Sequence, residues 1–338
     1  MTEQAPPTTP ASMRAIVQDE YGSADVLQLT DRPVPEAGDD EVLVRVHAAG
    51  LDRGTWHLMA GLPYLIRPAY GFRGPRQPIA GIDLAGTVVA VGADVSRFGP
   101  GDEVYGTGSG TFAEYAVTSE SKLSRKPTNI NFEQAAAVPV SALTALQGLT
   151  DVGHVAAGQR VLIIGASGGV GSYAVQLAKV FGAEVTAVSS TSKVDVVRSL
   201  GADHVIDYTR DDFADGSTQY DLILDIAGNT RLSKLRSALT EKGTLVIVGG
   251  EEGGRWIGGI DRNLRALALS PFISQRLTMF VSKETHVDLQ RLTEFIESGD
   301  LTPSVDSVVP LADAPDAMRR LEAGEVRGKT VISIADES

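Results

Sequence analysis

Cysteine is absent from all 338 residues, which excludes disulfides, thiolate chemistry and any Cys-ligated zinc. Long apolar runs are missing too, since none approaches the roughly 20 residues that a membrane-spanning helix needs. Basic residues are the minority, 30 against 43 acidic, for a formal net charge of −13. Proteins that track nucleic-acid phosphates need clustered Lys and Arg, so nucleic acid is excluded as a partner. The opening stretch MTEQAPPTTPAS has neither the basic start and apolar core of a secretion signal nor the arginines of a transit peptide. It reads as a disordered tail over residues 1–12. What these absences leave is a soluble, cytoplasmic enzyme acting on a small molecule.

What is present is a hydrophobic fraction of 43% in a chain longer than a single core usually sustains, so two domains are expected. From Met13 to about Lys126, short β-like runs such as EVLVRVHAAG, DLAGTVVAVG and FAEYAVT alternate with Gly, Pro and Asp, the grammar of a small barrel or sandwich. From about Val161 the runs RVLIIG, EVTAVSS, HVIDY, YDLILDIAG and GTLVIVGG are separated by helix-length stretches, which predicts an α/β doubly wound parallel sheet. A final segment from about Lys283 offers two helices and two strands without that rhythm, and is assigned back to the first unit. The expected domains are therefore 13–138 with 284–338, and 139–283.

The stretch GASGGVGS, Gly165–Ser172, admits two readings. One is the G-x-S-x-G elbow that exposes a nucleophilic serine, here Ser167, in α/β-hydrolases. The other is a phosphate turn at a helix N-terminus. After Gly169, residues Val170, Ala174, Leu177, Ala178 and Phe181 recur at helical spacing, so the turn joins a buried strand to a helix under either reading. A hydrolase needs an acid and then a histidine further along, and the later histidines are His204, at the start of a strand, and His286, opening a polar helix. A nucleotide turn needs small residues where backbone meets pyrophosphate, which Gly168, Gly169 and Gly171 supply, with Ser167 and Val170 as further candidate cofactor contacts, and a second strand ending about 20 residues on. EVTAVSS ends there. It runs into Ser190 and Lys193 with no acid before Asp195, and hydroxyls beside an ammonium suit a 2′-phosphate better than a bare ribose. NADPH is the expected cofactor, and the Ser167 hydrolase is the remote alternative. Gly249 and Gly250 close the GTLVIVGG strand at the carboxyl edge where open α/β sheets bind ligands.

The segment ASGGVGSYAVQLAKVFGAEVTAVSSTSKVDVVRSLGADHVIDY, with GIDLAGTVVAVG before it and GTLVIVGG and GKTVI after it, resembles the medium-chain dehydrogenase/reductase superfamily. Its zinc-free quinone oxidoreductase branch is the nearest match. The resemblance implies a GroES-like β-barrel catalytic domain carrying a Rossmann domain, with the active site between them. The positions of the zinc ligands in zinc-dependent members look like Asp52, Ile82 and Val140, and two of these cannot ligate a metal, so no metal site is expected. Hydride donation from NADPH to a quinone or an α,β-unsaturated carbonyl follows, the cofactor carrying the hard step. A non-catalytic NADPH-binding protein, like the crystallins of this family, is the alternative.

The same resemblance puts Tyr208 beside the adenosine phosphate, Thr144 near the nicotinamide, and Phe280 and Ser282 where backbone meets the carboxamide. Asp52 stands where quinone reductases usually carry asparagine, and is a candidate catalytic residue. Tyr64, in the long aromatic and proline-rich loop Gly61–Pro78, is the candidate proton donor or acceptor anchor. That loop is expected to cover the cleft. A homodimer is the usual assembly of the family.

Overall fold

The computed structural model describes residues 9–250 and 254–334. Most of the expected tail, residues 1–8, lies outside the described residues, while Ser12 already opens the strand Ser12–Val17. No helix among the described residues is long and apolar enough to cross a membrane.

The run Val161-Leu162-Ile163-Ile164 is buried along its whole length, because it lies inside a sheet covered on both faces. This six-stranded sheet is parallel throughout. Its spatial order is His204–Asp207, Glu184–Ser189, Arg160–Ile164, Tyr220–Asp225, Leu239–Ile247, Arg276–Met279. The order of strands thus reverses at Arg160–Ile164, the topological switch point of a Rossmann fold, where a crevice opens beyond the strand ends. The helix Gly169–Val180 covers one face, burying Tyr173, Ala174, Leu177 and Ala178 completely. Gly182 follows its end at φ 77°, a left-handed stop that glycine takes without a steric penalty. Truncating Leu177 to alanine would cost about 2–5 kcal/mol.

Beside a two-stranded sheet of Ser12–Val17 and Gln28–Pro33, a further sheet has seven strands drawn from both ends of the chain. The closing strand Lys329–Ser333 pairs parallel with Val305–Pro310 and antiparallel with Glu41–Leu51, Thr330 facing Leu51. The helix His286–Glu297 sits against both halves. Tyr105 donates its hydroxyl to the Leu289 carbonyl at 2.7 Å, while Leu289 and Leu292 join the same core as Leu143 and Leu146. The architecture is α/β, a GroES-like unit beside a Rossmann sheet, and a cleft of about 440 Å³ lies between them.

Candidate active site and its relatives

The cleft is built first from the glycine turn. Gly165 leaves the central strand at φ 90°. A Cβ on Gly171 would stand 2.1 Å from the Gly165 carbonyl oxygen, so this glycine is required where helix packs on strand. Gly169 is tight as well, its Cβ position lying 3.0 Å from Ser141 Oγ and 3.1 Å from Lys329 Cδ. Gly168 differs: a Cβ there would meet only the Gly165 oxygen at 3.6 Å. Gly168 is also the N-cap of the helix, and no side chain caps it. The first-turn N–H groups therefore lack intrahelical acceptors at a helix end that carries partial positive charge. Ser167, Gly168, Gly169 and Val170 all line the cleft, and the turn has the donors and the open space that a pyrophosphate needs.

Past the end of the strand Glu184–Ser189, Lys193 also lines the cleft. Its ammonium donates to the carbonyls of Gly324 at 3.0 Å and Val326 at 2.9 Å. Burial, and then the nearby Arg327, hold its pKa below the usual lysine value. Ser192 does not cap the next helix, Val194–Ser199, and its hydroxyl lies 3.5 Å from that of Ser190. An acid does approach this edge from the neighbouring strand: Asp207 accepts from Thr191 at 2.5 Å and from Thr209 at 2.7 Å. Tyr208 follows it, 62% exposed, its N–H on the Ser189 carbonyl. Neither Ser190 nor Tyr208 is among the residues that line the cleft.

At the opposite end Thr144, Gly249 and Gly250 line the cleft. The Thr144 hydroxyl donates to the Val140 carbonyl at 2.7 Å and lies 3.0 Å from the Ser282 hydroxyl. Phe280 packs into the core beside Gly148. The chain next to Ser282 is fixed by Gln147, which accepts from the Lys283 N–H and donates to its carbonyl, each at 2.8 Å. Arg262, which the sequence did not single out, ties the switch-point loops together. It bonds Asp225 at 2.7 Å, the Thr230 carbonyl at 2.8 Å and the Gly249 carbonyl at 3.2 Å. Burial raises the Asp225 pKa, and the Arg262 charge opposes that rise.

The floor is a buried charge cluster. Lys329, 2% exposed, lies 2.9 Å from Asp83 Oδ2 and 3.9 Å from Asp52 Oδ2. Burial pushes the Asp83 carboxyl up to about 7, against the pull of the Lys329 ammonium. Its other oxygen accepts the Val140 N–H at 2.9 Å. Asp52 caps the helix Arg53–Ala60 by accepting the Thr55 N–H at 2.8 Å, and its Oδ2 has no hydrogen-bond partner. Lys329 was legible only as part of GKTVI, and a lysine leading a buried apolar strand is the signal, because it needs a counterion.

Zinc does not fit this floor. Of the three positions that the family resemblance sets opposite zinc ligands, Ile82 and Val140 offer no side-chain donor, and the Lys329 ammonium lies beside the carboxylate of the third, Asp52. Among the described residues there is no group of three or more His, Cys, Asp or Glu able to hold a metal.

Tyr64 is not brought to the cleft with Asp52. Its ring lies edge-on to Trp256, centroids 5.3 Å apart, with the Arg67 guanidinium 4.4 Å from its centroid. Its backbone N–H bonds the Arg255 carbonyl at 2.8 Å, so the loop is pinned to the Rossmann side. Nor does Ser167 find a hydrolase partner. His204 is 3.1 Å from Glu184 Oε1 at the far end of its strand, and His286 opens the helix His286–Glu297.

Comparisons with known proteins show the family. Residues 38–128 match the alcohol dehydrogenase GroES-like domain family, and residues 200–332 match the zinc-binding dehydrogenase family. The 2-methylene-furan-3-one reductase of Solanum lycopersicum is 34% identical, over 96% of this chain and 79% of that protein. The chloroplastic NADPH-dependent alkenal/one oxidoreductase of Arabidopsis thaliana is 35% identical, over 96% and 80%. Among solved structures, the quinone oxidoreductase from Coxiella burnetii superposes with a TM-score of 0.85 at 29% identity, covering 96% of this chain and all of that one. A mycobacterial protein solved with NADPH gives 0.81 at 28%, covering 95% and 100%. A Rossmann sheet with an open phosphate turn, a GroES-like partner and relatives of this kind together place the chain in the medium-chain dehydrogenase/reductase superfamily, as a quinone-oxidoreductase-like oxidoreductase.

Proposed function

We propose that this oxidoreductase transfers hydride from NADPH to a quinone or an α,β-unsaturated carbonyl, with no metal taking part. The observation that carries the reading is the pairing of an uncapped helix start, open at Gly168, with a cleft floor where a lysine ammonium stands beside Asp52 and the other two zinc-ligand positions are apolar. The names of the relatives point to the same acceptors.

When bound, NADPH supplies a two-electron hydride from its dihydronicotinamide ring. The protein's part is to bind, orient and exclude water. The N–H groups of Gly169, Val170 and Gly171 hold the pyrophosphate. Lys193 would exchange its two carbonyl partners for the 2′-phosphate, a stronger charge-assisted pairing, and Ser190 and Tyr208 would contact the adenosine end. Thr144, Gly249 and Gly250 would frame the nicotinamide end, and the backbone at Phe280 and Ser282 would meet the carboxamide. Asp52 and Lys329 form the polar floor beneath the acceptor. A conjugated acceptor delocalises the incoming charge onto its own oxygen, so the site needs hydrogen-bond donors and a proton rather than a Lewis acid. The loop Gly61–Pro78, with Tyr64 anchored on Trp256, closes the mouth and sets the size of the acceptor.

The test is a matrix of NADH and NADPH against naphthoquinone, an enone, an aldehyde and an alcohol. NADPH oxidation by the first two acceptors supports the proposal. Turnover confined to alcohols and aldehydes contradicts it.

A further inference from the structure

Among the described residues, the ionisable side chains that line the cleft are Asp52, Arg53, His57, Lys193 and Lys329. The reduction needs one of them, or water, to deliver a proton to the acceptor after the hydride arrives. Arg53 does not give up a proton in proteins. Lys329 is held on fully buried Asp83, and Lys193 on two carbonyls beyond the strand Glu184–Ser189. Asp52 is spent on the helix cap, with Oδ2 buried. His57 remains.

His57 is half-buried in the last turn of the helix Arg53–Ala60. Its Nδ1 lies 2.9 Å from the Leu62 carbonyl oxygen. A carbonyl only accepts, so Nδ1 must carry a hydrogen, and any second ring proton sits on Nε2. Trp56 packs against the imidazole at a ring separation of 4.8 Å. The ring is thus fixed along its Nδ1 edge, and Nε2 has no partner among the described residues.

We infer that His57 is the catalytic proton donor, its Nε2–H directed at the carbonyl oxygen of a quinone or enone in the cleft. This rests on the hydride-transfer reading above. Hydride addition to the conjugated carbon moves the π pair onto the acceptor oxygen. The Nε2–H bond then breaks as the O–H bond forms, leaving a neutral imidazole and an enol, which for a quinone is the keto tautomer of the hydroquinone and aromatises as its own C–H proton passes through solvent to the second oxygen. The ring recovers its proton from solvent, which its partial exposure allows.

The discriminating variant is His57→Asn, whose amide N–H occupies the place of Nδ1 and keeps the Leu62 anchor while removing the proton of Nε2. Its kcat should fall about 100-fold, within the usual range for a lost general acid. NADPH affinity, read by cofactor fluorescence, and the melting temperature should stay at wild-type values. In His57→Ala, millimolar imidazole should restore at least tenfold of the lost kcat. A His57→Asn enzyme within twofold of wild-type kcat overturns the assignment, as does failure of imidazole to rescue the alanine variant. Wild-type protein that reduces no quinone or enone would instead sink the hydride-transfer reading itself, and the two failures are thereby separate.

Discussion

Lys193 donates to the Val326 carbonyl at 2.9 Å across the cleft, so a side chain from the Rossmann sheet ties down the loop before the closing strand of the other unit. The third hydrogen of the ammonium has no partner among the described residues, and the two carbonyls it holds are neutral acceptors that a phosphate dianion outcompetes.

Lys193→Ala should therefore raise the KM for NADPH by about 10- to 100-fold, the worth of one hydrogen bond to a charged group, and leave that for NADH nearly unchanged. Steady-state kinetics with both cofactors checks this. Equal losses for NADH and NADPH would make Lys193 a structural tie alone.

The glycines of the phosphate turn should separate by variant. Gly168→Ala meets nothing closer than 3.6 Å, so it should fold normally while its methyl group fills the cradle and weakens NADPH binding at least tenfold. Gly171→Ala forces a carbon to 2.1 Å from a backbone oxygen and should lose several kcal/mol of stability as helix and strand part. Calorimetry and cofactor titration on the two proteins distinguish these outcomes, and a Gly168→Ala variant with unchanged NADPH affinity would count against the pyrophosphate assignment.

Asp83 carries a prediction about pH. Its carboxyl is pushed up to about 7 in the fold by burial, so the folded state binds its proton more tightly than the unfolded chain does. Its contribution is then complete below the ordinary aspartate range and is lost as pH rises toward 7. The double variant Asp83→Asn, Lys329→Met removes both charges of the pair. Its melting temperature minus that of the wild type should rise between pH 5 and pH 8 by about 3 °C or more, on the usual conversion of stability to temperature. A difference that stays flat across that range would contradict the burial argument.

The sequence was most legible where structure is local. The continuous apolar run at Val161–Ile164, the stripe through Val170, Ala174, Leu177 and Ala178, and the glycines between them belong to one strand, turn and helix, and each follows from near neighbours alone. The floor of the cleft was not legible in the same way. Lys329 and Asp83 are 246 positions apart in the chain, and neither GKTVI nor GIDLAG reveals that they form one buried pair. Tyr64 attracted notice for its phenol in a loop near the cleft, yet where the ring points is decided by Trp256 and Arg67. His57 gains its meaning only from the Leu62 carbonyl, which becomes an acceptor at 2.9 Å once the helix has ended in the left-handed Gly61. The short elements Arg53–Ala60 and Arg276–Met279 carry too few residues for a periodic pattern, and tertiary packing decides them.

The central claim is hydride transfer from NADPH to a conjugated acceptor without a metal. It is tested most directly by following NADPH oxidation with naphthoquinone in protein dialysed against a strong chelator, with its metal content measured in parallel. We expect full activity in metal-free protein and a clear preference for NADPH over NADH. Activity that disappears with the metal and returns on adding zinc would contradict it.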